Sequence, residues 1–249
     1  MTMPVLLIVR PENRLAADAD AAVAAGWQAA AYPLLQIEAD AAALAALPAQ
    51  LTTAAAVFWV SPTAVETAAA VITTWPDCPH VAVGSATAEA LRQAGATRIH
   101  VSSHGNDSEA ALALPLWSSL PRAAHIVLAR GHEGRNWLAE QLADQGFQVA
   151  SANLYHRRAA HPPWPLPANA LPDAVWITSS ELVRRLFACA PPNLAQPLQS
   201  LLYFTHHPRI ADTLRQQGAY RIRLLDSAAE LATALAAAAT TRKEPHEPA

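Results

Sequence analysis

IVLARGHEGRNWLAEQLADQG, residues 126–146, reads as a buried strand, a tight turn and an amphipathic helix closed by glycine. The opening of the chain follows the same plan in LLIVRPENRLAADADAAVAAG, residues 6–26. Arg10, Arg14, Leu15 and Gly26 occur in the same order as Arg130, Arg135, Leu138 and Gly146 of the later copy, and in both the first arginine precedes the glycine by sixteen positions. Each copy then enters an extended segment that reaches a tyrosine, Tyr32 or Tyr155. Self-similarity of this kind is the mark of a duplicated supersecondary unit.

Two further segments repeat in the same order. VFWVSPTAVE carries Ser61 at the end of an apolar run, as AVWITSSELV carries Ser179 and Ser180. VAVGSATAEALRQAG places Gly95 eleven residues after Gly84, and FTHHPRIADTLRQQG places Gly218 eleven after His207. The offsets between copies are 120, 118 and 123 residues, which implies two related α/β halves.

The apolar runs Val5–Val9, Val57–Val60, His80–Val83, Ile126–Ala129, Ala174–Ile177 and Leu201–Phe204 lack polar alternation, as strands buried on both faces of a parallel sheet do. Helical spacing follows them in Leu15, Ala19 and Val23, in Leu138 and Leu142, and in Ile210, Ala211 and Leu214. Gly26, Gly95, Gly146 and Gly218 fall where a helix closes on a left-handed residue. The fold class is α/β: two related parallel-sheet domains in a flavodoxin-like arrangement.

A chain of 249 residues with 52% hydrophobic content has material for one or two cores. The net charge of −3, with 15% charged residues, leaves no electrostatic footprint for nucleic acid. Cys78 and Cys189 are isolated, so neither a disulfide framework nor a CxxC site is indicated. The short run Pro4–Val9 lacks the flanks of an export signal, and the Ala-rich run 231–239 is too short to span a bilayer. A cytoplasmic protein without membrane attachment is the expectation, with TTRKEPHEPA as a frayed tail.

Pro162, Pro163, Pro165, Pro167 and Pro172 crowd one stretch and read as a stiff extended connection between domains. YPLLQIE at 32–38 is a matching extended segment. If both cross between domains, the chain leaves domain one after its first strand and helix and returns later, producing a hinged cleft.

In open α/β sheets ligands gather at the carboxyl ends of strands. Those places here are 10–14, 61–63, 84–87, 130–135, 178–181 and 205–209, which are small, hydroxylated and lightly basic. That chemistry suits carboxylates or phosphates held by backbone N–H groups and hydroxyls. Each feature also has a plainer reading. Ser61 before Pro62 is what a helix N-cap followed by proline at N1 looks like. Ser85 with Thr87, and Ser179 with Ser180, read as caps too, and Arg10 and Arg130 read equally as partners of acidic neighbours. Neither GxGxxG nor GxxxxGK[ST] is present, and the histidines, including adjacent His206 and His207, form no evident metal-ligand set.

Taken together, VRPENR, VSPTAVE, VAVGSATAEALRQAG, LARGHEGRNWLAEQLADQGFQVASANLYHRR, WITSSELV and FTHHPRIADTLRQQG resemble the uroporphyrinogen-III synthase family, in that family's order and over residues 4–236. The resemblance implies a discontinuous domain one at residues 1–34 and 160–249, a domain two at 38–154, linkers near 32–38 and 152–160, and an active-site cleft between the domains. It implies ring closure of hydroxymethylbilane with inversion of its last pyrrole ring and loss of water, giving uroporphyrinogen III of the haem pathway, with no cofactor and no metal. Departure of the hydroxyl leaves an azafulvene, and attack by the substituted carbon of ring D gives a spiro intermediate that reopens and recloses with the ring reversed. The protein then chiefly supplies orientation.

On the same resemblance Tyr155 matches the family's cleft tyrosine and is expected to donate a proton or hydrogen bond to the departing hydroxyl; a linker tyrosine that only packs is the plainer reading. Thr87, Ser61, Ser179 and Ser180 match cleft-facing turns, and with Ser85, Arg10, Arg130, Thr205 and His206 are expected to hold the acetate and propionate carboxylates. Arg209 and Ile210 replace a Thr pair common in the family, which bears on the domain-one contacts. A monomer receiving its substrate from hydroxymethylbilane synthase is expected. The competing reading is a non-catalytic, two-lobed cytoplasmic binding or sensor protein for a small anionic ligand.

Overall fold

Apolar runs such as VLLIV and AVWI have no polar side to turn toward water, and each becomes a strand flanked by parallel neighbours. The computed structural model describes residues 3–103, 105, 107–133, 136–167 and 170–241. In chain order its first elements are β1 (Val5–Val9), α1 (Leu15–Ala24), β2 (Gln28–Ala31), β3 (Leu35–Ala39), α2 (Ala41–Thr52), β4 (Ala56–Trp59), α3 (Pro62–Ala69), β5 (His80–Ala82), α4 (Ser85–Gln93), β6 (Ile99–Val101), α5 (Ser108–Leu112) and α6 (Leu116–Ser119). The remainder are β7 (His125–Gly131), α7 (Trp137–Asp144), β8 (Gln148–Ala159), β9 (Ala174–Ile177), α8 (Ser180–Cys189), α9 (Ala195–Leu198), β10 (Leu202–Thr205), α10 (Pro208–Gln216), β11 (Arg221–Leu224) and α11 (Leu231–Thr241).

The chain divides into two compact units, Met1–Ile37 with Arg158–Ala249, and Glu38–Arg157. The sheet of the first runs β11-β10-β9-β1-β2, and the second sheet runs β3-β8-β7-β4-β5-β6. Read from their β11 and β6 edges, the two orders superimpose repeat on repeat: β10 on β5, β9 on β4, β1 on β7 and β2 on β8. The first β-α-β of each sequence copy therefore completes the sheet of the other copy's remainder. This exchange requires two crossings, which the chain makes within β3 and β8, themselves sheet neighbours.

Alternate residues of a strand point to opposite faces, and the first unit uses both. Leu7, Val9, Val175, Ile177 and Tyr203 pack with Leu182 and Leu186 of α8 and Ile210 and Leu214 of α10. Leu6, Ile8, Trp176 and Phe204 pack with Trp27, Leu231 and Leu235 on the other face. Trp27 is buried there and its Nε1–H donates to the Leu235 carbonyl at 3.0 Å. In the second unit Phe58, Val81, Ile126 and Leu128 meet Trp117, Leu138, Leu142 and Phe147.

The proline-rich run serves a different purpose from the expected interdomain connection. It lies wholly within the first unit, where Trp164 and Leu166 pack on the core and Trp164 stands edge-on to Tyr32 at 5.3 Å between centroids. The prolines hold an extended coil against the sheet, and the hydrogen-bonded strand β8 makes the crossing. The four helix-closing glycines have φ between 78° and 91°, as their positions implied. Arg135 and residues 242–249 of the tail lie outside the described residues.

Candidate functional site

At the carboxyl edge of the first unit, Arg10 follows β1, Ser179 and Ser180 follow β9, and Thr205 and His206 end β10. Arg10 Nη1 donates to Asp18 Oδ2 at 2.9 Å, and Trp176 Nε1 donates to the same oxygen at 2.9 Å. Asp18 lies in the first turn of α1 and is buried. Arg10 thus pairs with an acidic neighbour through Nη1. Burial pushes the Arg10 guanidinium downward against the raising pull of Asp18. His206 sits over Trp176, with ring centroids 5.8 Å apart. Burial, then Arg10 and then His207 lower its pKa, with Asp18 opposing. Among the described residues, Arg10 Nε, Thr205 Oγ1 and His206 Nδ1 are buried without a hydrogen-bond partner.

Ser179 and Ser180 have separate tasks. Ser179 caps α8, its Oγ accepting the Leu182 N–H at 3.1 Å. Ser180 lies 2.8 Å from the Thr213 hydroxyl, which donates to the Arg209 carbonyl at 2.9 Å, so the pair ties α8 to α10. His207, which sequence reading left without a role, is the N-cap of α10, with Nδ1 accepting the Arg209 N–H at 3.1 Å. Arg209 and Ile210 occupy the first turn of that helix, Ile210 facing the core.

At the carboxyl edge of the second unit, Tyr155 and Ser61 share a hydrogen bond of 3.0 Å. Ser61 also caps α3 by accepting the Ala64 N–H at 3.1 Å, with Pro62 at the helix start. The Tyr155 ring is buried to within 2% and lies against Gly131, where an added Cβ would stand 2.7 Å from ring carbon Cε2. The Arg-Gly pair of the opening motif is thus explained sterically: only glycine leaves room for the tyrosine. Arg130 is buried and its Nε donates to the Gly131 carbonyl at 3.2 Å. Gly84, with extended backbone, caps α4 without a side-chain bond; Ser85 is the first helical residue and so is not the cap, and Thr87 is buried two residues on.

Asp40, His132 and His156 meet on this same unit, a grouping that the scattered spacing of the histidines in the sequence did not disclose. Gly131 pairs with Tyr155 across β7 and β8, so the residues that follow each become neighbours. Their rings stack at 3.7 Å with 17° between planes, and His132 Nε2 reaches Asp40 Oδ2 at 2.8 Å. N–H donation from Ala43 and the bond from His132 hold the Asp40 carboxyl below the usual range. The register of two strands 24 positions apart (156 − 132) carries this meeting, and single-sequence spacing does not reveal register. Elsewhere in the unit, a hollow of about 700 Å³ lined by Cys78, Arg98 and His100 opens at the amino ends of β4, β5 and β6, away from these groups.

The sequence model described as Uroporphyrinogen-III synthase HemD matches residues 17–224. A uroporphyrinogen-III synthase of Salmonella typhimurium is 29% identical over 241 residues, spanning 90% of this chain and 95% of the relative. Among solved structures, a uroporphyrinogen-III synthetase from Helicobacter pylori aligns over 95% of this chain and 100% of its own, with a TM-score of 0.60 at 16% identity. A mutant uroporphyrinogen III synthase from Thermus thermophilus aligns over 97% of this chain and 100% of its own, with a TM-score of 0.57 at 17% identity. The structural likeness speaks for the fold, and the sequence match, extending across both units, settles the lineage: the chain belongs to the uroporphyrinogen-III synthase family.

Proposed function

We propose that this chain closes hydroxymethylbilane into uroporphyrinogen III, inverting ring D and releasing water. The observation that carries the reading is the family match over residues 17–224, which includes the carboxyl-edge turns of both units from 61–63 onward. The substrate is a flexible polycarboxylate whose own pyrroles stabilise the charge left by the departing hydroxyl. The protein's task is to hold that chain in the geometry that reacts through the substituted carbon of ring D, ahead of the spontaneous closure to the unturned isomer.

The groups assigned to the carboxylates are Arg10, Ser61, Ser85, Thr87, Arg130, Ser179, Ser180, Thr205 and His206, with backbone N–H groups of the first helical turns contributing. The neighbourhood of Arg10 and His206 supports this assignment, because buried polar atoms without partners are rare unless a ligand, water or functional constraint accounts for them. Tyr155 is the proton donor to the hydroxyl, or its hydrogen-bond partner. Its bond to Ser61 fixes the phenol direction, and Ser61, whose oxygen accepts the Ala64 N–H, can give its own O–H to the phenol oxygen and leave the phenol proton for the substrate. We further assign residues 1–34 with 160–249 and residues 38–154 to the two catalytic domains.

Among the described residues no helix is long and apolar enough to cross a membrane. We place the enzyme in the cytoplasm as a monomer that takes hydroxymethylbilane from the synthase that makes it; sedimentation of the purified chain checks the monomer. The activity test supplies freshly generated hydroxymethylbilane to the protein, oxidises the products and separates type I from type III porphyrin. Predominantly type III is expected. Type I alone, as in a protein-free control, would replace the reading with that of a non-catalytic binding relative.

A further inference from the structure

We propose that Asp40, His132 and His156 form a binding site for one divalent transition-metal cation of the zinc class. The site uses none of the residues assigned to the tetrapyrrole reaction. His132 Nε2 and His156 Nε2 lie 2.8 and 3.8 Å from Asp40 Oδ2, and the three donor atoms are within 4.8 Å of one another. In a tetrahedral zinc centre with bonds of about 2.0–2.1 Å, neighbouring donor atoms stand about 3.3 Å apart. The two observed distances bracket that value, so small side-chain rotations bring all three donors to one ion. The rings, now stacked, tilt out of face-to-face contact as their lone pairs converge.

The donors are held by their surroundings as ligands are. They come from three elements: the end of β7, the strand β8 and the turn before α2. Asp40 Oδ1 is committed to the Ala43 N–H at 2.9 Å, which leaves Oδ2 to face the imidazoles. The Asp40 N–H donates to the Leu154 carbonyl and the His132 N–H to the Tyr155 carbonyl, each at 2.9 Å, fixing both backbones to β8. Glu133 Oε1 lies 3.7 Å from His156 Nδ1, the nitrogen not offered to the ion, and is itself anchored by the Arg157 N–H at 3.1 Å. A carboxylate on the far nitrogen of a ligating histidine fixes its tautomer and raises its basicity.

Two imidazoles with one carboxylate select a borderline cation over magnesium or calcium, which prefer all-oxygen shells. The side chains of His132, His156 and Asp40 are 33%, 26% and 23% exposed, so an ion has an entry path and solvent completes the fourth position. Bound there, it would join the turn after β3 to β8, fastening the strands by which the chain enters and leaves the second unit.

The test titrates cobalt(II) into the full-length protein after chelator treatment. One equivalent is expected to produce the intense ligand-field absorption of a four-coordinate cobalt, displaced by zinc and unaffected by excess magnesium. Asp40→Asn, which keeps an N-cap, and His132→Gln and His156→Gln are each expected to weaken binding at least about tenfold while metal-free melting stays near that of the parent. Glu133→Gln is expected to weaken it less. Absence of saturable one-equivalent binding, a six-coordinate spectrum, or affinity undiminished in all three ligand variants would overturn the site.

Discussion

The phenol of Tyr155 is held from two directions, by Ser61 at its oxygen and by the absence of a side chain at Gly131 beside its ring. Tyr155→Phe removes the hydroxyl and leaves the packing. A positioned proton donor contributes typically about 10²–10⁴-fold, so type III formation is expected to slow by at least about a hundredfold, while loss of the Ser61 bond lowers the unfolding free energy by only about 1 kcal/mol; a full rate in this variant sinks the donor role. Gly131→Ala does the reverse. Its methyl lands on ring atoms that cannot yield without breaking the Ser61 bond, and such overpacking costs typically about 1–3 kcal/mol, which urea unfolding will register together with a loss of rate.

His80 offers a third test at this scale. It is fully buried, its Nδ1 accepts the Trp59 indole N–H at 3.1 Å and its Nε2 stands 3.2 Å from the Pro76 carbonyl, an arrangement that needs the neutral ring. Burial, opposed by the Pro76 carbonyl and aided by Arg98 and His100, lowers its pKa. The unfolded chain then binds the proton more readily, so this contribution is complete above about pH 6.5 and is lost as pH falls through the depressed folded value. Urea unfolding of the parent is expected to weaken progressively below that pH. In His80→Asn, which keeps an acceptor and a donor, the same descent is expected to be shallower; identical slopes would assign the effect to other groups.

At the scale of elements, caps and core strands follow from local rules, and local rules made them legible. Ser61-Pro62 and Ser179 were readable as helix starts because a hydroxyl one residue ahead of an apolar period satisfies an orphan N–H. Ser179→Ala is accordingly expected to cost about 1 kcal/mol, measured by denaturant unfolding, whereas Ser180→Ala should act through α8 and α10 and lose its effect in a Thr213→Ala background. Edge strands β6 and β11 escaped the sequence reading because IHV and RIRL are only partly covered and carry no apolar run. The Asp18 bridge between Arg10 and Trp176 escaped it for another reason: a buried carboxylate in a first helical turn looks like any helix-start acid until its distant partner, 158 positions away, is known.

At the scale of the whole molecule, the duplication is visible in the sequence as motif order, but the exchange between copies is not, because strand order is a property of the sheets. The consequence is an asymmetry between the units. Residues 38–157 are contiguous and contain their own core, whereas the first unit needs β1, α1 and β2 beside strands that begin more than 140 positions later. A fragment covering 35–160, with β3 and β8 whole, is therefore expected to fold alone and unfold cooperatively in urea. Residues 158–249 alone lack β1, the strand that pairs with β9, so one edge of β9 is left unpaired and the core on each face of the sheet loses the side chains of Leu6–Val9, Trp27 and Tyr32. That fragment should remain unfolded until a peptide of residues 1–37 is added, with helical circular dichroism rising saturably as β1 pairs. Independent folding of 158–249, or no response to the peptide, would mean that the exchanged segment contributes little to the first sheet.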